Sequence, residues 1–301
     1  MSWLIYIFGS GWAFFVGTGL VLVATPLLPR ARGGWRASLV SIVALVGLVV
    51  LGLSAVPLSY WLYAAIGIVT LAWLIAERRH EPAATDDMRS NAATRLRWGT
   101  MAILVGVVVL EAPYLLAPRV SALGNPPLYI IGDSVTAGAD SGEKLRWPEL
   151  LPESIKVHDL AQMGATASSA RTKQCVKLPD MGGLVLLEIG GNDLLGDTPA
   201  SQFERDLDQL LAEVAAPNRT IVMFELPLPP LYNEYGRIQR RLAARHTVQL
   251  IPKRIFMSVL AGEDATLDSI HLSPRGHDRM AAAVWNIIEP AYRSADSGQA
   301  K

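Results

Sequence analysis

Cysteine and early charge are scarce in this 301-residue chain, and each scarcity excludes something. The single cysteine, Cys175, excludes an internal disulfide framework. It reads as a small buried apolar residue. No acidic or basic residue precedes Arg30. A secretory leader opens on basic residues and is short, so the first apolar run reads as retained rather than cleaved. From Arg119 onward there are 19 Lys and Arg against 22 Asp and Glu, which excludes the basic face that nucleic-acid binding requires. "GGND" at Gly190–Asp193 lacks the lysine and spacing of a phosphate cradle, so it is not a nucleotide loop. No internal repeat is visible, and low complexity is confined to the tail "SADSGQAK".

Apolar length is what the first third of the chain has in abundance. Four runs, about 3–28, 39–58, 60–76 and 98–116, each come near the roughly 20 apolar residues of a spanning helix. Residues 1–118 therefore read as a region of four transmembrane helices, and 119–301 as a separate domain of ordinary soluble composition. Arg30, Arg32 and Arg36 lie between the first two runs. Arg78, Arg79, Arg89, Arg95 and Arg97, with His80, lie between the last two, whereas "AVPLSY" between the middle pair carries no charge. Short arginine-bearing loops stay in the cytoplasm. The N-terminus and the domain after the fourth helix are then outside it, in the periplasm or at the cell exterior of a bacterium. Glu111 interrupts the last run, roughly 20 Å along a helix counted from Trp98. An ionisable residue within a span is a functional candidate. It can equally face the helix bundle or snorkel outward beside Pro113.

The second domain alternates. Strand candidates are 128–132, 155–160, 184–189, 220–225 and 247–251. Thr198-Pro199 and Ser273-Pro274 read as N-cap and first helical residue of intervening helices. Strands alternating with helices imply a parallel sheet covered on both faces. Ligands of such sheets bind beyond the carboxyl ends of the strands. Four features fall there. Ser134 follows the first strand in "GDSVTAG". Gly164 follows the second in "AQMGATASS". Asn192 follows the third in "GGND". Asp268 and His271 stand in "DSIH" before the last helix.

A serine hydroxyl is a weak nucleophile until a base takes its proton, and histidine suits that task near neutral pH. A carboxylate on the other ring nitrogen fixes the tautomer. Asp268 and His271, three residues apart, are spaced for such a pair. The Ser134 and Gly164 amides and the Asn192 side chain are candidate donors to an oxyanion. Asp193 reads as holding its own loop. His158, His246 and His277 have no matched partner and read as structural, and Ser134 could alternatively cap a helix.

In order and spacing, "GDSVTAG", Gly164, "GGND" and "DSIHLSPRGH" resemble the four sequence blocks of the SGNH (GDSL-type) hydrolases. "RWPELL" is similar to the arylesterase and lysophospholipase branch. In the second block, Ala161 and Gln162 stand where the family often has asparagine and a further glycine. The resemblance implies a flavodoxin-like three-layer α/β/α fold with no metal or organic cofactor. It implies Ser134 as nucleophile, His271 as base and Asp268 as orienting acid. Gly164, Asn192 and the Ser134 amide would then be the oxyanion donors. The expected function is a membrane-anchored serine hydrolase acting outside the cytoplasm. Its expected substrates are acyl esters at the bilayer surface: lysophospholipids, acylated lipids or lipid-linked acylated sugars. A membrane partner protein is a further expectation. An O-acyltransferase or deacetylase of envelope polysaccharide, and a catalytically silent assembly module, are the alternatives.

Overall fold

The computed structural model describes residues 3–31, 34–79, 87–138, 145–180, 182–268 and 270–293, with no side chains for 87–90. Arg32, His80, the Arg89 side chain and the polar tail lie outside the described residues. Two compact units emerge: Ile7–Pro113 with Pro229–Asn233, and Tyr114–Leu228 with Glu234–Lys301 and Met1–Tyr6.

The apolar part of the chain forms helices α1 (Trp3–Gly9), α2 (Trp12–Leu27), α3 (Gly34–Gly52), α4 (Tyr60–Arg78) and α5 (Asp87–Glu111). Among the described residues, three helical segments are long and apolar enough to cross a membrane: Gly34–Gly52, Tyr60–Arg78 and Asn91–Leu115. The expected first span differs. It is broken into α1 and α2, which meet at 85°. The break falls at Ser10-Gly11, where Gly11 has φ 86 in the left-handed region and cannot continue a right-handed helix. The second span also ends earlier than residue 58, because Pro57 lacks an amide hydrogen and disfavours helical backbone at Val56. The last tightens at Ala112–Leu115, around Pro113, into a 3₁₀ turn.

Only 22% of each of the three apolar windows is buried inside the protein, so most of their apolar surface faces outward. The contacts that do form are close. A Cβ on Gly17 would lie 2.6 Å from the Gly47 carbonyl, and one on Gly47 would lie 2.8 Å from the Gly17 carbonyl. Small residues here let the α2 and α3 backbones touch, the usual solution where lipid removes any hydrophobic drive to associate.

The second unit is built on β1 (Leu128–Gly132), α6 (Ser134–Ala137), β2 (Val157–Asp159), α7 (Ala167–Lys173), β3 (Gly183–Glu188), α8 (Gly191–Leu195), α9 (Ala200–Val214), β4 (Arg219–Phe224), α10 (Asn233–Arg245), β5 (Gln249–Ile251), α11 (Lys253–Leu260) and α12 (Pro274–Ile288). The strands form one parallel sheet in the order β2-β1-β3-β4-β5. This is the flavodoxin-like order, and chain direction across the sheet reverses between β1 and β3. Leu128, Ile130, Leu184, Leu186, Val222 and Phe224 share a core cluster with Phe256 of α11 and Met280, Val284 and Ile288 of α12. Alternate strand residues point to the other face. α9 contributes a fully buried stripe, Phe203, Leu207, Leu210, Leu211 and Val214, at helical spacing. Pro199 caps α9, one residue later than the expected Thr198, because its ψ of 140 is extended rather than helical. Ser273 caps α12 as expected, its Oγ accepting from the Gly276 amide at 3.2 Å.

Candidate active site

Apart from Glu111 at the end of α5, each candidate residue lies at or beyond the carboxyl end of a strand, or in the loop before α12. β1 runs into Asp133, whose Oδ1 accepts the Val135 amide at 2.9 Å and so caps α6. Ser134 is therefore the first residue of that helix rather than its cap, with only 7% of its surface exposed. Gly164, beyond β2, has φ 72, a backbone conformation that favours glycine. Asn192 sits on α8 beyond β3. The β1/β3 switch point thus brings together the Ser134 and Asn192 segments, as sheet order alone requires.

The loop before α12 is tightly tied. The Leu267 amide donates to the His271 carbonyl at 2.8 Å, and Thr266 bridges Leu272. Asp268 Oδ1 accepts the Ile270 and His271 amides at 3.1 and 3.0 Å, leaving Oδ2 2.6 Å from His271 Nδ1. These bonds, the His271 amide first, pull the Asp268 carboxyl well below the usual carboxylate range, so it stays ionised. Among the described residues no hydrogen bond joins Ser134 Oγ to His271. The ring nevertheless lies near enough to Asp133, the neighbour of Ser134, to oppose the upward push of burial on that carboxyl.

Among the described residues the Ser134 and Gly164 amides donate to no protein group. Asn192 behaves differently. Its Nδ2 donates to Asp133 Oδ2 at 3.1 Å and to the Ala165 carbonyl at 3.1 Å. Both of its hydrogens are therefore engaged, one of them one residue from Gly164.

The remaining residues singled out in the sequence have structural positions. Asp193 accepts the Ala167 amide at 2.9 Å and ties its loop to α7. His158 stacks on Tyr129, His246 pairs with Asp208 at 2.6 Å, and His277 accepts the Trp147 amide at 3.3 Å. Cys175 is buried, and burial pushes its thiol up to about 11, the behaviour of an inert core residue. Glu111 is buried and makes a polar interaction, which fits the reading that it faces protein. Among the described residues no cluster of His, Cys, Asp or Glu could hold a metal ion.

Sequence reasoning overlooked Glu188. It ends a fully buried strand and touches Asp133, the residue before Ser134. A carboxylate closing an apolar strand, "LVLLE", was the signal available, because charged side chains are almost never fully buried unless partnered.

The parallel sheet in flavodoxin-like order thus carries a serine and uncommitted amides beyond its strand ends, with an Asp/His pair in the loop before α12. Residues 130–279 match the GDSL-like Lipase/Acylhydrolase family, so this part of the chain is a GDSL/SGNH lipase-acylhydrolase domain and the protein is an ester-hydrolysing enzyme. The chain is 26% identical over 170 residues to an arylesterase of Vibrio mimicus, covering 52% of this chain and 85% of that protein. It is 30% identical over 135 residues to a thioesterase 1/protease 1/lysophospholipase L1 of Escherichia coli, covering 42% of this chain and 65% of that protein. Among solved structures it is similar to a psychrotrophic esterase EstA from Pseudoalteromonas sp., at 18% identity and TM-score 0.49 over 55% of this chain and 97% of that one.

Proposed function

We propose that this protein is a membrane-anchored serine esterase that cleaves acyl esters at the outer face of the bilayer. His271 Nε2 takes the proton of Ser134 Oγ as the oxygen attacks the ester carbonyl. Asp268 holds the ring and stabilises the imidazolium. The tetrahedral oxyanion is received by the Ser134 and Gly164 amides and by Asn192. His271 returns the proton to the leaving alcohol, and an acyl-Ser134 ester remains. Water, deprotonated by His271, then releases the carboxylic acid and restores the serine. The carrying observation is the site's makeup: a serine at the carboxyl end of a central strand, two uncommitted amides, and an Asp/His pair held at 2.6 Å.

Two further features support a lipid-linked substrate. Met163, Leu267 and Ile270 on loops and Leu195 at the end of α8 are exposed large apolar residues beside Gly164, the Asp268/His271 pair and Asn192 in the chain. The apolar helices supply a membrane anchor, and the arginines flanking the long loops orient it with the hydrolase domain outside the cytoplasm. The test is labelling of the full-length protein with a fluorophosphonate probe, together with turnover of a short water-soluble ester. Ser134→Ala should lose both. Persistent labelling of Ser134→Ala, or full turnover by His271→Ala, would overturn the assignment.

A further inference from the structure

Behind Ser134 lies a second pair of acids that the reaction above does not use. Asp133 and Glu188 are both 3% exposed and in contact: the Asp133 amide donates to Glu188 Oε2 at 3.3 Å. They come from adjacent strand ends, since Gly132 of β1 is in register with Glu188 of β3. A Cβ on Gly132 would lie 2.7 Å from Thr136 Oγ1 and 3.3 Å from Glu188 Oε2, so glycine leaves the room this packing needs.

The donors around the two groups decide where a proton sits. Asp133 Oδ1 accepts the Val135 amide and Oδ2 accepts Asn192 Nδ2, so both of its oxygens act as acceptors. Glu188 Oε2 accepts Thr136 Oγ1 at 3.0 Å and the Asp133 amide at 3.3 Å. A proton on Glu188 lets it donate to the neighbouring Asp133 carboxyl rather than repel it. Two carboxylates in contact cannot both be ionised cheaply, and one must hold a proton.

We propose that Glu188 is a positioning residue for the oxyanion side of the site: it stays protonated and donates to Asp133, fixing the carboxylate that in turn holds Asn192. The connected chain runs Glu188, Asp133, Asn192, Ala165. It passes beside all three proposed oxyanion donors, because Ser134 follows Asp133 and Gly164 precedes Ala165. Burial first, and then the Asp133 carboxylate, hold Glu188 well above the usual carboxylate range. Burial also raises Asp133. The charged groups facing the pair are His271, which favours the ionised form of Asp133, and Asp193, with Asp206 beyond it. The proposal rests on the reading of Ser134 as nucleophile and Asn192 as donor.

The test uses the full-length protein in detergent, with a short-chain nitrophenyl ester followed across pH. In Glu188→Gln, the amide oxygen can still accept from Thr136 and the NH2 can still donate to Asp133, at every pH. In the parent, kcat should fall at alkaline pH as Glu188 loses its proton; in Glu188→Gln, kcat at neutral pH should stay within about threefold of the parent and that fall should be absent. Glu188→Ala should lose kcat by about 10- to 100-fold with little change in KM, because the lost positioning acts on the transition state. Equal loss in the Gln and Ala variants, or an alkaline limb identical in the parent and Glu188→Gln, would overturn the proposal. The second comparison decides the matter even if the Ala variant does not fold. Ser134→Ala, run alongside, isolates the underlying reading: turnover that survives it defeats the nucleophile assignment, whatever the Glu188 variants do.

Discussion

Asp268→Asn is the sharpest single perturbation of the proposed chemistry, because it keeps the side chain's shape while replacing one acceptor oxygen by an NH2 donor and removing the charge. In the parent, Oδ1 accepts two backbone amides and Oδ2 accepts from His271 Nδ1 at 2.6 Å. An asparagine must keep its oxygen on the two amides, since its NH2 would meet two donors there. Its nitrogen then faces Nδ1 and donates to it. The ring is driven to the tautomer with its hydrogen on Nε2, so the nitrogen that should accept from Ser134 no longer can. Loss of the correct tautomer at a buried acid typically lowers kcat about 10,000-fold. Here the Asp268 and His271 side chains are 56% and 29% exposed, so water competes for the ring and weakens the constraint. The expected fall is therefore about 100- to 10,000-fold in kcat, with KM little altered because the lost interaction belongs to the transition state. The loop keeps its caps, so the melting temperature should hold. Steady-state kinetics on a short soluble ester, with thermal melts as control, reads both quantities. A folded Asp268→Asn enzyme within about threefold of parental kcat would refute the role of Asp268, and with it the tautomer argument.

Arg240 lies 2.6 Å from Glu225 with both side chains nearly buried, and its guanidinium stacks on the Tyr114 ring at 3.6 Å. Arg240→Ala should destabilise the hydrolase domain by about 3–5 kcal/mol, read by thermal melting, whereas replacing both partners by apolar residues should be far milder. Gly47→Leu forces a side chain into the Gly17 carbonyl and should disrupt α2–α3 packing, seen as loss of folded protein after detergent extraction. Glu188 makes stability depend on pH in a defined direction. Its folded-state pKa is raised, so the folded protein holds a proton that the unfolded chain releases above about 4.3. That contribution is complete below the ordinary glutamate range and is lost as pH rises through the folded value. Melting temperature should decline between pH 5 and 9 more in the parent than in Glu188→Gln.

How much of this was legible in the sequence follows from how local each signal is. β1 was bounded to the residue, because a five-residue apolar run ends at a glycine that the next turn needs. Ser273-Pro274 was legible for the same reason: a cap and a preset φ are properties of two adjacent residues. β2 and β5 came out shorter than expected, at Val157–Asp159 and Gln249–Ile251, because edge strands stop where their single neighbour stops pairing, not where apolar residues stop. The break between α1 and α2 was missed because hydropathy averages over it. Gly11 is one small residue in an apolar run, and only its backbone angle reveals the bend. The Asp133–Glu188 pair lies 55 residues apart in the chain and meets only through β1–β3 register. A reading of motif blocks registers the aspartate of "GDS" and the glutamate before "GGND" as separate local features. Only the sheet turns them into one group.

Asn192 supplies the last discriminating experiment, because it links the proposed mechanism to the acids behind it. Both its side-chain hydrogens are engaged in the unliganded site, one by Asp133 and one by Ala165. To serve an oxyanion, it must share one of them. Asn192→Ala removes the donor itself and should lower kcat about 100- to 1000-fold. If Glu188 acts through Asp133 on Asn192, then adding Glu188→Ala to Asn192→Ala should cost little more, because the element it positions is already gone. Two independent roles would instead multiply, as sites without a shared partner do. A double variant within about threefold of Asn192→Ala supports one connected device. A double variant slower by the full product of the single losses would show that Glu188 acts on the nucleophile loop by another route, and would break the chain at Asp133.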